Sequence, residues 1–515
     1  MPGWFEPVKR DIIDRLEEIR MAAPGRIQVE YVDPAKNEKV REELRADDLE
    51  FTPPSVEKDK LTYSTLFTTL RVTYADKPSQ LIRVVQRSED LEYQLASKVV
   101  ELTLKDKPVI AIQTPRPDQP MMPMMNRMPS SGFEWFLRQD LPMAEFSKKF
   151  DVRPTELTEA SPIPKGAKML VLIRPKDLGE RARYEVAKFL AEGGQVWLLA
   201  VPFKVHTEMP GASWNVEKTP TGLEDYLKEC GVTLSTSLLC DERNIQLPIL
   251  NLFTRQVRVK AYPFFIEIAP STMDQESPIT RYLPSLVMPF AAEVKLDEEK
   301  LKAAGLKHEI LASTSPNSWT QELGASFTEK QAEAKKAGNE PNRPVFVRLS
   351  GQFPFPWEGQ TAPAWDKKDE AKGEEKKDEA KKDEAKKGDE KAAVEKKPGV
   401  LLIWSAPDAF HVGYLENERV GDSFKGNISV MPNVVESSAL GTDLGSLRAK
   451  RFETRTIERL EGRDLLRNLV KLGLIAGVPL ALAVFGLSRW GLRRAGQIRH
   501  ERSFAQTTGP SSFTP

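Results

Sequence analysis

Near the end of the chain, Leu472 to Ser488 (LGLIAGVPLALAVFGLS) runs without a single charge between Lys471 and the basic flank Arg489-Trp490-Gly-Leu-Arg493-Arg494. A bilayer core about 30 Å thick needs roughly 20 mainly apolar helical residues. Leu469, Val470 and Trp490 bring the stretch to that length, and Lys471 can snorkel to the interface. Pro479 at mid-span is tolerated in lipid, where neighbouring groups satisfy the freed carbonyl. Gly473 and Gly477 have the spacing at which two membrane helices approach closely. The sequence therefore predicts one membrane span. Positive charge near a span is retained in the cytoplasm. Arg489, Arg493, Arg494, Arg499 and Arg502 follow the span with only Glu501 opposing, whereas Arg459, Arg463, Arg467 and Lys471 before it alternate with Glu458, Glu461 and Asp464. The expected topology is a cytoplasmic tail and a body outside the cytoplasm.

The chain as a whole has no electrostatic reason to meet nucleic acid: 75 Lys and Arg balance 75 Asp and Glu, for a formal net charge of +0. Its 515 residues suffice for two or three domains with real cores. Cys230 and Cys240 are the only cysteines, so no disulfide framework is expected, and two buried free thiols are. The first residues show no basic and apolar leader. The expected topology thus asks for an upstream span or for a partner that supplies translocation.

From the N-terminus, Phe5 to Met21 carries Ile12, Ile13, Leu16 and Ile19 at helical spacing. Arg26 to Val32 alternates as a half-buried strand, and Asp33-Pro34 stops it. A helix over Lys39 to Leu49, a strand pair over Leu66 to Tyr74 and Leu81 to Val85, and a helix over Asp90 to Thr103 complete a predicted thioredoxin-like α/β domain at 1–105. It has no C-x-x-C, hence no thiol redox chemistry.

A second domain, 106–355, opens on Lys107-Pro-Val-Ile-Ala-Ile112, a run apolar enough for a strand buried on both faces. Pro120 to Met128 holds five methionines; Cu(I) is one reading of that cluster, and an adaptable contact loop is the reading adopted. A helix at Ser131 to Leu141, strands at Phe150 to Val152 and Lys168 to Ile173, a helix at Leu178 to Ala191 closed by Gly193-Gly194, and a strand at Gln195 to Val201 predict a parallel sheet with right-handed crossovers. Ligands in such sheets sit beyond the strand C-termini, here the loops that begin at Gln113, Arg174 and Pro202.

In order along the chain, Val29-Glu-Tyr-Val-Asp33-Pro34, Leu91-Glu-Tyr-Gln-Leu95 with Leu102-Thr103-Leu104, Lys168 to Pro175, Phe189 to Gly194, Cys230-Gly231-Val232 with Leu239-Cys240-Asp241, Ser277 to Thr280, Ser313 to Trp319 and the terminal span resemble one family. It is the auxiliary component of uncharacterised ABC-type transport systems, the gliding-motility GldG-like family. The resemblance implies an extracytoplasmic body related in fold to class I glutamine amidotransferases and to a domain of intraflagellar-transport proteins. It also implies partnership with a permease and a separate ATPase. Two departures stand out: the family's usual N-terminal span is not seen here, and a charged insertion is present.

Amidotransferase relatives present a cysteine on a strand-to-helix elbow with a histidine base. The corresponding stretch here, Leu198 to Phe203, has no nucleophile. His206 beyond it reads as a surface residue, and Cys240-Asp241 is the other nucleophile candidate. Four histidines, with His308 and His411 far apart in sequence, do not suggest a zinc site, and no G-x-x-x-x-G-K-[ST] occurs. No catalytic, cofactor-binding or metal-binding residue is therefore assigned.

Further strands are expected around Arg255 to Ala261, Phe264 to Ile268, Ala291 to Lys295, Glu309 to Ala312 and Pro344 to Leu349. A charged insertion then occupies 356–398, its Asp366 to Lys397 built on an approximate K-K-D-E-A repeat that cannot bury a core. Gly399 to Trp404 returns to the sheet in a continuation of the α/β domain over 399–462, before the span and its flanks (463–490) and a basic tail (491–515). The function expected is that of a membrane-anchored, non-catalytic accessory subunit whose partners are an ABC permease, a P-loop ATPase and the membrane. A degenerate amidotransferase-like hydrolase and a cell-surface ligand-binding module are the alternatives.

Overall fold

The centre of the body is a seven-stranded sheet built from segments nearly 300 residues apart in sequence. Its strands are β1 (Val109–Gln113), β2 (Asp151–Pro154), β3 (Ala167–Ile173), β4 (Gln195–Leu199), β5 (Lys307–Ser313), β6 (Pro344–Gly351) and β7 (Gly399–Trp404). The spatial order is β5-β6-β7-β4-β3-β1-β2. Strands β2, β1, β3, β4 and β7 run parallel, as expected; β6 is antiparallel to both β7 and β5, so the sheet is mixed. This computed structural model describes residues 5–34, 36–47, 54–57, 60–63, 69–83, 91–113, 149–206, 214–250, 257–333, 342–365, 394–415, 421–441, 444, 447 and 478–507. The chain divides into two units, Met1–Phe452 and Glu453–Pro515.

Side chains on a strand alternate between faces, and here both faces are buried. Met169, Val171 and Ile173 of β3 enter one core with Trp197 and Leu199 of β4 and Leu402 and Trp404 of β7. Leu170 and Leu172 enter the other with Val196, Leu198, Leu401 and Ile403. Two-sided burial is why these strands read as unbroken apolar runs. The helix Glu180–Ala191 covers the second face with Val186, Ala187 and Leu190. It ends at Gly193, whose φ of +91° suits glycine; the Gly193 and Gly194 N–H groups close onto Leu190 and Phe189 carbonyls at 3.1 and 2.8 Å.

The first face is covered by a helix that the sequence pattern did not suggest, Lys425–Leu440, with Val430, Met431 and Val434 in the core. A second, three-stranded sheet (Asn244–Leu250, Val257–Ile268 and Leu286–Pro289) adds to that same core. The two strands expected at Arg255 to Ala261 and Phe264 to Ile268 are one continuous strand, and the one expected at Ala291 to Lys295 is Val294–Leu296.

In the N-terminal region the helices are Phe5–Ala22, Glu38–Ala46 and Leu91–Thr103, and the strand pair is Leu70–Val72 with Gln80–Ile82. Leu16, Ile82 and Leu91 form a small core of their own. Arg26 to Val32 departs from expectation: Val29 packs on that core, but the segment joins no sheet. The alternation is present, and among the described residues no neighbouring strand pairs with it.

Of the charged insertion, 366–393 lies outside the described residues. Its flanks are built into the body: Trp357, Ala362 and Val394 pack on the second core, Arg181 Nη1 donates to Pro363 O at 3.0 Å, and Lys397 N donates to Ala191 O at 2.8 Å. The methionine-rich loop and the helix expected at Ser131 to Leu141 also lie outside the described residues. In the C-terminal unit the helix Val478–Thr507 carries Pro479 as its second residue, Ser488 bonded to Val484 O at 2.8 Å, and Arg489, Arg493 and Arg494 exposed. Leu472, Gly473 and Gly477 lie outside the described residues. Among the described residues no helix is long and apolar enough to cross a membrane.

Candidate functional site

The C-terminal ends of β1, β3, β4 and β7 share one edge of the sheet, where the loops at Gln113, Arg174 and Pro202 begin. Arg174 follows β3 directly and takes a left-handed conformation, φ +45°, uncommon for a residue with a side chain. Its N–H donates to Leu199 O at 2.9 Å, and its guanidinium donates to Asp408 in the turn after β7 and to Phe203 O at 3.4 Å. One side chain thus ties together the segments that follow β3, β4 and β7. Such strain persists where the surroundings over-determine it, and here the fixed ion pair does so. Tyr414 lies beside the pair; burial, then the Asp408 charge, pushes its phenol well above the usual range. The edge spends its charge internally, and the Arg174 fork is already engaged.

His206 is on this side of the body, in the strand Phe203–His206. Its Nε2 is 3.3 Å from Glu217 Oε2, and Lys176 Nζ lies 2.7 Å from Glu217 Oε1. The Lys176 hydrogen bond holds the Glu217 carboxyl below its ordinary range. The trio is a solvated surface network. His308 is paired separately with Glu298 at 3.3 Å, and His411 stands 5.7 Å from the Tyr414 ring. Among the described residues no three His, Cys, Asp or Glu side chains gather as metal ligands would.

Cys240 and Asp241 end the strand Leu238–Asp241, paired with Ser318–Gln321. Both are fully buried. Burial, then the adjacent Asp241 charge, pushes the Cys240 thiol far up, which is the opposite of what a nucleophile needs. Asp241 accepts from Ser315 N at 2.7 Å, Ser315 Oγ at 2.5 Å and Arg243 N at 2.8 Å. Burial raises the carboxyl above its usual value in spite of those bonds. It is committed to holding the Ser313 to Trp319 turn against its own, and has no donor-free oxygen aimed at a cleft. Cys230 is a separate buried thiol, pushed up by burial to about 12.

Sequence reasoning pointed to the Arg174 loop but missed its partner, since Asp408 lies 234 residues away and has no local signature. It also missed the polar side of the helix Lys425–Leu440. Asn427 grips the strand Leu286–Pro289 through both its amide atoms, accepting from Val287 N at 2.9 Å and donating to Val287 O at 2.8 Å. Asn433 donates to Ile279 O at 3.0 Å, and Glu436 meets Lys149 and Tyr93.

A family model described as an ABC-type uncharacterized transport system matches residues 124–410, a span that holds six of the seven sheet strands and both members of the Arg174–Asp408 pair. No curated protein matches. Three chains of solved structure match. One is the mmIFT52 N-terminal domain, at 12% identity and a TM-score of 0.31, covering 63% of this chain and 97% of that one. Another is a ThuA-like protein from Bacteroides uniformis, at 12% identity and a TM-score of 0.24, covering 48% and 79%. Likeness at that level has no bearing on function.

Proposed function

The chain belongs to the family of auxiliary components of ABC-type uncharacterized transport systems, and from that premise we propose that it is a membrane-anchored accessory subunit without chemistry of its own. The observation that carries the proposal is the family match across the sheet body. The non-catalytic part is supported by Cys240 and Asp241, both buried and protonation-favoured, with the Asp241 carboxylate also held by hydrogen bonds from Ser315 and Arg243. It is supported as well by an edge whose arginine is already neutralised by Asp408. We read residues 1–105 as a thioredoxin-like layer, 106–355 with 399–462 as an amidotransferase-like sheet domain, 356–398 as a charged insertion, 463–490 as the anchor with its flanks, and 491–515 as a basic cytoplasmic tail. The uncharged run from Leu472 to Ser488 supports an anchor in the cytoplasmic membrane of a bacterium, and the arginines after it support a body outside.

The partners in this reading are a permease and a separate P-loop ATPase, met through the span and the loops after β1, β3 and β4. Co-purification tests it. The full chain, extracted in mild detergent, is expected to bring down both subunits. Retention of neither, with the chain folded and in the membrane, removes the reading. A hydrolase using Cys240 is the competing reading, and the buried thiol disfavours it.

A further inference from the structure

The segment Arg26 to Val32 has a strand's sequence and no strand's partner. Ile27, Val29 and Tyr31 fall on one side of an extended chain and Gln28 and Glu30 on the other. Val29 is held against the N-terminal core of Leu16, Ile82 and Leu91, which fixes which side faces inward. Ile27 and Tyr31 nevertheless stay 36% and 52% exposed, and Val32 49%. Among the described residues, no backbone hydrogen bond is made by any N–H or C=O from Ile27 to Val32. Upstream, Arg26 N closes the preceding turn on Ala23 O, and downstream Lys36 N closes the next on Asp33 O. Both ends are thus pinned, and the Tyr31 hydroxyl donates to Glu17 at 3.2 Å. An extended, anchored backbone with a row of open donors and acceptors is a template for another strand.

The occupant is indicated by the segment's own pattern. In antiparallel pairing, directly opposed residues lie on the same face. If two copies meet about Val29, then Val29 faces Val29, Ile27 faces Tyr31, and Gln28 faces Glu30. From Ile27 to Tyr31 every apolar residue meets an apolar one, Val32 falls opposite Arg26, and no like charges are opposed. Shifting the register by two residues, to centre on Glu30, sets two glutamates against each other, which is unfavourable. A one-residue shift places apolar residues against polar ones. A patch that complements itself under a two-fold axis is the signature of an isologous contact. We propose that Arg26 to Val32 is a homodimerisation strand: two copies of this chain pair through it, antiparallel and centred on Val29.

The register makes the test specific. In a Cys230→Ala, Cys240→Ala background, one full-length chain carries Gln28→Cys and a differently tagged one carries Glu30→Cys. Opposed pairs sit close enough for a disulfide, whereas Gln28 to Gln28 and Glu30 to Glu30 are diagonal. Mild oxidation of the detergent-solubilised mixture should give the mixed disulfide at least tenfold above either chain alone. A second variant, Glu30→Pro, removes an N–H that bonds nothing within the monomer. It should leave the melting temperature unchanged and shift the particle mass from dimer to monomer. Equal cross-linking in all three samples, no cross-linking in any, or a monomeric parent chain at micromolar concentration overturns the proposal. So does a Glu30→Pro chain that remains dimeric.

Discussion

Lys149 Nζ lies 3.0 Å from Glu436 Oε1, with the two side chains 2% and 0% exposed. The Tyr93 hydroxyl is 3.1 Å from the same carboxylate oxygen and 3.2 Å from the same ammonium, and the ammonium also lies 5.0 Å from the Tyr93 ring centroid. The three residues come from the helix Leu91–Thr103, the turn just before β2 and the helix Lys425–Leu440. The node therefore fixes how the N-terminal layer, the sheet and the last helix of the body sit together. A buried pair of this kind adds little net stability but is costly to break, because the survivor is left charged and dry.

Accordingly Glu436→Gln and Lys149→Met should each destabilise the body by about 3–5 kcal/mol, while the double change Lys149→Met with Glu436→Leu should recover most of that loss. Urea unfolding followed by tryptophan fluorescence measures both. A double variant that loses the sum of the two single losses would show that the pair is not energetically coupled.

Gly426 sits where the helix Lys425–Leu440 meets the chain before its neighbouring strand. A methyl group there would lie 1.7 Å from the Ser285 carbonyl oxygen, a backbone atom that cannot rotate away. Gly426→Ala should cost at least about 1–3 kcal/mol by overpacking. Asn427→Ala should cost about 1–3 kcal/mol for each Val287 group left unpaired. A thermal melt within one degree of the parent for either variant contradicts the contact.

Both thiols should be inert in the folded chain. Iodoacetamide at pH 8 is expected to label Cys230 and Cys240 only at the rate of unfolding, and Cys230→Ala with Cys240→Ala should leave transport unchanged. There is also a pH consequence. The folded Cys230 thiol, at about 12, sits above the ordinary value of about 8.5. The stability it contributes is thus full below pH about 8.5 and is lost as pH rises towards 12, because the unfolded chain releases a proton the folded one keeps. Stability of the double variant should fall less steeply above pH 9 than that of the parent.

Removing 366–393 should not move the melting temperature, since that stretch has no apolar side chain larger than alanine. Extending the cut to Lys397 removes Val394 from the second core and the bond from Lys397 N to Ala191 O, and should lower it by several degrees. Differential scanning calorimetry of the two deletions separates the cases.

For the anchor, a Ser511→Cys chain in the cysteine-free background should resist impermeant maleimide in intact cells and react after lysis. Gly477→Leu should weaken co-purification with the permease. Ready labelling of intact cells would reverse the proposed orientation.

The parts of this fold legible in the sequence are those whose signal is local. Lys168 to Ile173 and Gly399 to Trp404 announce two-sided burial by their unbroken apolar runs, and Gly193 announces a helix end by the backbone it permits. The helix Lys425–Leu440 was illegible because Gly426, Asn427 and Pro432 all argue against helix. Each is tolerated through packing: Gly426 by a close carbonyl, Asn427 by a strand backbone, and Pro432 inside a buried helix. Asp408 was illegible because what makes it matter is Arg174, more than two hundred residues earlier. Arg26 to Val32 alternates as a half-buried strand does, yet among the described residues it joins no sheet, since alternation reports the faces of a strand and not the presence of a neighbour.

Strand β7 is the last to be synthesised and lies inside the sheet, between β6 and β4, with Val400 opposite Gln195. Until the ribosome has delivered it, β4 and β6 each present an open edge to whatever is nearby. At about 5–20 residues per second, the wait between completing β4 and completing β7 is roughly 10–40 s. The charged stretch before β7 lengthens that wait with every residue it adds. Its length is therefore a kinetic variable, setting how long the half-built sheet keeps two open edges.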